Sequence, residues 1–396
     1  MNKEYIDFAK EHEGEDTARL LLSAARYPAI DMPAAVQQIE GLRTAREKWP
    51  RLVQCETYLY PPRLNREQAS SETTARYKAD LLATLHPSPA NLADLTGGMG
   101  MDTMAFAQVE EQVDYVERDP QLCTLMEHNL KALGIDNVRV HCADSIEWLT
   151  QQEKAFDIIY IDPARRATSG HKVSVFEDCT PNLLEHLELI RTHCHKLLIK
   201  ASPMIDIDLA VRQLGTVEKV HIVAVKGECK EVLFVCGASC VAPQISCVAI
   251  DKANDVAGTT TLTFTREEES RAEGCYAERV GRYLYEPDAA VMKGGPYKLL
   301  CQWYKLGKLA RNSHLYTSDQ RVEGFPGRVF EVLQEAKLNK KEIQTLIPEG
   351  KAHVVTRNYP LEAAVLQHQL GLTEGGDKFV IATSMGKRKC GFLCKI

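Results

Sequence analysis

A chain of 396 residues is too long for one hydrophobic core, so its length favours two or three domains. The composition, 44% hydrophobic and 26% charged, is typical of a globular protein. No stretch comes near the roughly 18 consecutive apolar residues that a transmembrane helix needs. The N-terminal segment is charged from its start and lacks the apolar core of a secretory signal. We therefore expect a cytoplasmic protein without a membrane partner.

The net charge of −6 hides an uneven distribution along the chain. Residues 1–274 carry 29 Lys and Arg against 42 Asp and Glu, whereas residues 275–396 carry 19 against 12. A basic C-terminal third indicates an anionic partner, with nucleic acid the first candidate. Ordinary charge variation on a solvated surface explains the same counts equally well.

The 13 cysteines are scattered and odd in number, which favours reduced thiols. One pair of residues suggests a metal site, because His193 and His195 would share a face of a strand. Since neither acidic nor thiolate partners lie at zinc spacing, the sequence favours no metal.

The first 65 residues are expected to form a helical N-terminal domain. One helix-forming stretch ends before Pro28, and the segment Met32–Lys48 is a second helix that stops at Trp49-Pro50. A further helix is expected from a cap at Ser70 or Ser71 to Leu85.

From residue 91 onwards, short apolar strands alternate with helices. This alternation predicts a parallel sheet covered on both faces, within a domain that spans residues 66–240. The tight turn Lys226-Gly227-Glu228 makes the last two strands a hairpin, which adds an antiparallel strand at the sheet edge. Strands are predicted at Asn91–Leu95, Gln112–Glu117, Val138–Ala143, Phe156–Ile161, His195–Lys200, Val217–Val225 and Glu231–Cys236, and helices at Pro120–Leu133, Pro181–Thr192 and Ile207–Leu214.

The remaining residues are expected to form small α+β domains, one over residues 241–323 after linker strands and one over residues 324–396. Gly294-Gly295-Pro296 and Phe325-Pro326-Gly327 interrupt the pattern. Strands are predicted at Ala352–Thr356 and Lys378–Thr383.

A glycine-rich turn, DLTGGMGMD from Asp94 to Asp102, follows the first strand of the sheet. Its glycines allow close approach of a ligand, and the N-terminus of the following helix suits a polar group. Dinucleotide-binding proteins use the same device, but GGMG does not give the spacing GxGxxG because position 103 is Thr.

Carboxylates also end the next three strands, at Glu117, Asp144 and Asp162. In an open α/β sheet the ligand lies outside the carboxyl ends of the strands. Glu117 is placed to accept hydrogen bonds from ribose hydroxyls, and Asp144 to meet an adenine amino group. Each carboxylate alone is more simply a helix cap or a loop residue, but four at corresponding positions indicate one site.

These motifs resemble those of class I S-adenosylmethionine (SAM)-dependent methyltransferases, most closely a bacterial group with a C-terminal THUMP-like domain. DLTGGMGMD, the strand-ending Glu117 and IDPARR match the family motifs, and SSETTARYKADLL, KASPMIDI, GECKEVLFV, SHLYTSD and FPGRVF match the group. The resemblance implies a Rossmann-like seven-stranded sheet, SAM as cofactor, a ferredoxin-like domain within residues 241–323 and a THUMP-like domain over residues 324–396. It further implies that the cofactor is bound by Asp94, Thr96, Gly97, Gly98, Gly100, Asp102, Glu117 and Asp144.

Asp162-Pro163-Ala164-Arg165 occupies the place of the acceptor loop of amino-methyltransferases, which implies catalytic roles for Asp162, Pro163 and Arg165. In that loop a side-chain oxygen and a main-chain carbonyl accept hydrogen bonds from the acceptor amine. Ala164 replaces a proline, and Arg165 stands where an aromatic residue would stack on a base; a guanidinium can also stack or pair with a phosphate.

The loop also resembles DPPR of uridine C5-methyltransferases, which need a cysteine after the fifth strand. This chain has Lys200-Ala201-Ser202-Pro203 there, so methylation of nitrogen is favoured over methylation of carbon. Lys200 itself is equally well explained as a substrate-phosphate contact or as a lysine that extends its ammonium to water.

The favoured function is methylation of RNA. Basic residues such as Lys387-Arg388-Lys389, Arg357, Lys351 and Arg328 could follow a phosphate backbone. A methyltransferase of a protein or small molecule, a non-catalytic RNA-binding scaffold and an NAD-dependent oxidoreductase remain alternatives.

Overall fold

The structure is a computed structural model that describes residues 3–86, 88–165, 176, 179–238, 242–251 and 258–396. The chain divides into two compact units. The first comprises residues 1–219, 230–241 and 252–257, and the second comprises residues 220–229, 242–251 and 258–396. Among the helices of the described ranges, none is long and apolar enough to cross a membrane.

Five helices precede the first strand of the first unit, as the sequence predicts for its N-terminal region. Asp16, Asp31 and Ser71 each cap a helix by accepting a hydrogen bond from a main-chain N–H of the first turn. Trp49 is fully buried and donates its indole N–H to the Ser70 carbonyl at 2.7 Å. The helices are α1 (Lys3–Glu11), α2 (Thr17–Leu22), α3 (Met32–Lys48), α4 (Arg63–Gln68) and α5 (Glu72–Leu85).

These helices share a hydrophobic core with the region that follows them. Trp49, Tyr58 and Tyr60 pack in one buried cluster with Met101 and Tyr115. The N-terminal region thus contributes directly to the surroundings of the glycine-rich turn.

The sequence predicts a Rossmann-like α/β fold, and the structure confirms it. The elements are β1 (Asn91–Asp94), α6 (Met101–Phe106), β2 (Gln112–Glu117), α7 (Pro120–Leu133), β3 (Val138–Cys142), α8 (Ser145–Thr150), β4 (Phe156–Ile161), β5 (Ala164–Arg165), β6 (Cys179–Thr180), α9 (Leu183–Thr192), β7 (Cys194–Ala201), α10 (Ile207–Leu214), β8 (Val217–Val225) and β9 (Glu228–Cys236). The seven predicted strands are present as β1, β2, β3, β4, β7, β8 and β9.

Strands of the first unit run in the order β9-β7-β4-β1-β2-β3. β1 is parallel to β2 and β4, β3 is parallel to β2, β7 is parallel to β4, and β9 is antiparallel to β7. This arrangement brings the carboxyl ends of β1, β2, β3, β4 and β7 to one edge.

β8 and β9 are joined by Lys226 and Gly227, whose φ angles of 52° and 75° suit a two-residue hairpin turn. The sequence places this hairpin at the sheet edge, and that prediction is wrong. In the second unit, β10 (Gln244–Ile250) lies between β8 and β11 (Thr259–Phe264). Residues 245–250 are buried along their whole length, so β10 is a strand within a sheet and not an exposed linker.

A seven-stranded sheet in the order β13-β14-β12-β15-β18-β17-β16 dominates the rest of the second unit, which confirms the small α+β domains. β16 and β17 are parallel, and the other described pairs are antiparallel. The elements are α11 (Arg266–Arg271), β12 (Tyr283–Pro287), α12 (Ala289–Gly294), α13 (Tyr297–Tyr304), β13 (Gly307–Lys308), β14 (Tyr316–Ser318), β15 (Gly327–Glu335), α14 (Lys340–Leu346), β16 (His353–Arg357), α15 (Ala363–Leu370), β17 (Lys378–Met385) and β18 (Arg388–Lys395).

Candidate active site

The glycine-rich turn after β1 is held by the buried carboxylate of Asp94. This group accepts hydrogen bonds from the Thr96 main-chain N–H at 3.0 Å and from Thr103 Oγ1 at 2.6 Å. Gly97 packs so closely on the ring of Tyr115 that an added Cβ would lie 2.2 Å from it. Gly100 begins α6 with a φ of 81°, a conformation that favours glycine. The turn therefore needs Asp94, Gly97 and Gly100 for its shape.

Glu117, at the end of β2, faces this turn. Its Oε2 accepts a hydrogen bond from the Gly98 main-chain N–H at 2.9 Å, and its Oε1 accepts one from Asp119 at 2.9 Å. A carboxylate oxygen can accept more than one hydrogen bond, so both oxygens keep capacity for a ligand's hydroxyl groups.

Asp144, after β3, is the N-cap of α8. Its Oδ1 accepts hydrogen bonds from Ile146 and Glu147 at 2.9 and 3.2 Å, so the capping role considered from the sequence is present. The residue is exposed and also lines the cavity described below, so Oδ2 remains for a ligand.

The loop after β4 is tied to the glycine-rich turn. The Asp162 main-chain N–H donates to Thr96 Oγ1 at 2.7 Å, and the Asp162 carboxylate forms an ion pair with Lys200 at the end of β7. Arg165 pairs with Cys179 in the short β5–β6 ladder. The side chain of Arg165 and all of Arg166 lie outside the described residues.

One cavity of about 950 Å³ brings these residues together. Its volume lies within the range of small-molecule sites, roughly 300–1,000 Å³. Of the eleven predicted site residues, all except Arg165 line this cavity. Residues 65, 68–70, 176, 179–182 and 200–203 form other parts of its wall, which the sequence did not assign to the site.

Behind the cavity lies a buried ionic network that the sequence did not predict. Lys78 of α5 is fully buried and donates to both carboxylate oxygens of Glu231 on β9, at 2.7 and 2.8 Å. Its ammonium also lies 3.2 Å from Asp102. Asp102 accepts further hydrogen bonds from Ser70 Oγ and from the Tyr160 hydroxyl, both at 2.8 Å. Asp102, expected to bind the cofactor, is therefore largely engaged within the protein.

Burial and mutual charge shift several pKa values in this region. Burial raises the pKa of Asp94 to about 7, although its hydrogen bonds from Thr103 and Thr96 oppose the shift. Burial also raises the pKa of Glu231, with Lys78 opposing. For Lys200, burial lowers the pKa, but Asp162, Asp102 and Glu231 outweigh it and raise the pKa above its ordinary value.

Within the described residues, no three His, Cys, Asp or Glu side chains are grouped as a metal site. His193 instead contacts the Leu189 carbonyl through Nδ1 at 2.8 Å, at the end of α9.

The three regions of the chain match models of known families. Residues 66–172 match a model for SAM-dependent methyltransferases, residues 283–326 match a ferredoxin-like domain, and residues 327–395 match a THUMP-like domain. The chain is also similar to a protein from Porphyromonas gingivalis W83, assigned as a methyltransferase, whose crystal structure is known. The two are 29% identical over 99% of this chain and 97% of that chain, with a TM-score of 0.85. The chain thus carries a SAM-dependent methyltransferase domain and a THUMP-like domain.

Curated relatives match shorter stretches of the chain. Ribosomal RNA small subunit methyltransferase J from Acinetobacter baumannii (strain AYE) is 35% identical over 114 residues, which are 26% of this chain and 38% of the relative. The 23S rRNA (uracil(1939)-C(5))-methyltransferase RlmD from Xanthomonas euvesicatoria pv. vesicatoria (strain 85-10) is 30% identical over 139 residues, 32% of this chain and 31% of the relative. The chain therefore spans well under half the length of these relatives.

Sequence reasoning drew attention to Lys78 and Lys200, but it missed their partners, Glu231 and Asp162. Lys78 has a detectable signal, because it lies on the face of α5 that also carries the buried Ala75 and Leu82. A lysine on an apolar helix face needs a buried partner. The partner lies 153 residues away, and local sequence does not identify it.

Proposed function

We propose that the protein is a SAM-dependent methyltransferase that methylates a nitrogen of an RNA base. The observation that carries this proposal is the single cavity in which Glu117 and the glycine-rich turn lie beside the Asp162-Pro163 loop. Glu117 and the glycine-rich turn suit an adenosine ligand, and the Asp162-Pro163 loop suits an acceptor amine. Their proximity is what transfer of a group between two ligands requires.

The residues present fit SAM. Gly97 and Gly98 line the cavity with main chain alone: Gly97 has no room for a side chain beside Tyr115, and the φ of 54° at Gly98 favours glycine. Glu117 would hold the ribose hydroxyls, and Asp144 Oδ2 would accept from the adenine amino group. Gly100, Thr96 and Asp94 would keep the turn in shape beneath the amino-acid part. When bound, SAM supplies an electrophilic methyl group.

On the acceptor side, the Asp162 carboxylate and the Pro163 carbonyl would accept hydrogen bonds from an amine and direct its lone pair. With SAM held by Glu117, Asp144 and the glycine-rich turn, the lone pair that Asp162 and Pro163 direct would accept its methyl group, S-adenosylhomocysteine would be released, and the N–H proton would pass to water. Such positioning can contribute about 7–11 kcal/mol to lowering a barrier. For Arg165 the motif alone supports a role, which is to contact the acceptor base or its phosphate.

RNA is the proposed acceptor for two reasons. The names of both curated relatives describe methylation of ribosomal RNA. The second unit contains the basic C-terminal residues, of which Lys351, Lys387 and Lys389 are exposed, whereas Arg328 and Arg357 share the buried carboxylate of Glu286. A cytoplasmic location remains a prediction.

Methylation of carbon is the second candidate, because the structure adds an observation to it. The loop after β7 lacks a thiol, yet Cys179 of β6 lines the same cavity. If Cys179 were the nucleophile of a uracil C5-methyltransferase, Cys179→Ser would abolish transfer. We expect this variant to keep most of its activity, and the methylated nucleoside identified by mass spectrometry gives an independent answer.

The test begins with calorimetric titration of S-adenosylhomocysteine (SAH), with NAD as the comparison. We expect SAH alone to bind, followed by transfer of tritiated methyl groups from SAM to total RNA from cells lacking this gene. Asp162→Ala should abolish transfer and leave SAH affinity within about tenfold. Binding of NAD alone, or transfer to protein but not RNA, would contradict the proposal.

A further inference from the structure

The ion pair between Lys200 and Asp162 lies at the wall of the cavity. The side chains of Lys200 and Asp162 are 13% and 34% exposed, and both residues line the cavity. Lys200 is thus the more enclosed of the two side chains, and the Asp162 carboxylate is the more exposed. Its contact with Lys200 uses Oδ2, which leaves Oδ1 on the carboxylate.

The buried network explains why Lys200 pairs with Asp162 and not with a deeper carboxylate. Lys78 contacts both oxygens of Glu231 and also lies beside Asp102, so these two acids already have a counterion. Replacing that ammonium by an apolar group would leave two buried charges to compete for Lys200. The titratable groups that face the Lys200–Asp162 pair are Asp102, Glu231, Asp94, Tyr160 and Lys48.

We propose that Lys200 is a positioning residue for the methyl acceptor and acts through Asp162. Its ammonium fixes Oδ2 and keeps Oδ1 directed at the acceptor N–H. This inference rests on the proposed function and assigns a role to a residue that the motif comparison left open between a phosphate contact and a solvated lysine. The Asp162 main chain is already held by Thr96 Oγ1, so Lys200 adds a contact that acts on the carboxylate itself.

Fixed orientation has a measurable consequence, because a displacement of about 1 Å in a reacting group can cost about 100-fold in rate. Lys200→Met should lower kcat for methyl transfer to total RNA by about 30–100-fold. SAH affinity, measured by calorimetry, and KM for SAM should stay within about threefold, since Lys200 acts on the acceptor side. Lys200→Arg should restore a substantial part of the rate because it keeps the charge.

Lys196→Met is the matched control. Lys196 lies on the same strand and pairs with Glu218 at 2.5 Å, but it does not line the cavity. Its loss should leave kcat within about twofold, as expected for a site distant from the reacting groups. If Lys196→Met lowered kcat as much as Lys200→Met does, the effect would be a general one on β7, and the inference would be overturned.

A double-mutant cycle separates positioning from a structural role. Asp162→Asn keeps an acceptor oxygen but removes the charge that Lys200 needs, so adding Lys200→Met should cost less than about threefold further. Additive losses, or a tenfold loss of SAH affinity in Lys200→Met, would overturn the inference. Thermal unfolding midpoints of the wild type, the two single variants and the double variant check the Lys200–Asp162 contact without any acceptor. Additive shifts of these midpoints would also refute the inference. A wild-type protein that binds SAH but methylates no RNA would refute the proposed function instead.

Discussion

One ion pair of the first unit and one of the second unit have very different surroundings. In the first unit, the side chains of Lys78 and Glu231 are 0% and 3% exposed. On the C-terminal sheet of the second unit, Arg282 is 64% exposed where it contacts Glu331. Burying a charge has a large desolvation penalty, whereas an exposed ion pair changes the free energy of unfolding only slightly. The difference indicates that the Lys78–Glu231 pair is kept for the site beside it, because its burial gains little stability.

Removal of Lys78 should give the largest effect on folding. Lys78→Met leaves Glu231 and Asp102 buried without their counterion, which should lower the free energy of unfolding by about 3–5 kcal/mol. Urea denaturation measures this loss. Lys196→Met, which breaks a partly exposed pair, should cost less than about 1 kcal/mol.

A second variant keeps the test informative if Lys78→Met does not fold. Lys78→Met combined with Glu231→Leu replaces the pair by apolar side chains, and it should recover part of the lost stability, because Asp102 still lacks the Lys78 ammonium. If the double variant is as unstable as Lys78→Met alone, the loss comes from packing around α5 and not from charge.

The buried carboxyl of Asp94 should make stability depend on pH. Its pKa is raised to about 7 by burial, whereas an unfolded Asp titrates near pH 4. Between these values the folded state holds a proton that the unfolded chain has released, so the free energy of unfolding falls as pH rises from about 4 to about 7. The contribution is about 4 kcal/mol at most.

Comparison with Asp94→Asn isolates this contribution, because an amide does not titrate. The stability of the wild type relative to this variant should decline across the same pH window and remain constant above it. Parallel pH profiles for the two proteins would show that Asp94 titrates normally in the fold.

Much of the methyltransferase domain could be predicted because local patterns determine it. Apolar strands that end in Glu117, Asp144 and Asp162 indicate both the sheet and the edge where a ligand binds. The glycine spacing distinguished the turn from a dinucleotide site. These features depend on neighbouring residues, which a sequence displays directly.

The missed features depend on partners that are distant in sequence. Lys78 and Glu231 meet only because α5 packs near β9, and the sequence has no local sign of that contact. Likewise, the position of β10 beside β8 depends on how apolar faces are covered after folding. Lys200 had two equally good interpretations until the fold placed Asp162 beside it.

Glu117 tests the cofactor side of the first unit. Glu117→Ala removes a carboxylate that would accept two ribose hydroxyls, and it should weaken SAH binding by about 1–3 kcal/mol in calorimetry. Because Glu117 also holds Gly98 and Asp119, the thermal midpoint of the variant must be measured alongside. Glu117→Gln retains one acceptor oxygen and should lose less affinity. Unchanged SAH binding in both variants would remove Glu117 from the site.

The smallest effect is expected on the exposed sheet of the second unit. Arg282→Ala should leave the thermal midpoint unchanged within error, because water can replace the guanidinium and Lys395 still contacts Glu331 at 3.2 Å. Glu286→Gln is the control on the same sheet, since this buried carboxylate holds both Arg328 and Arg357. Its midpoint should fall clearly, because two guanidinium groups lose a shared anion. If both variants unfold like the wild type, burial does not determine how much an ion pair of this protein contributes to stability. The contrast between the Lys78–Glu231 and Arg282–Glu331 pairs must then have another cause.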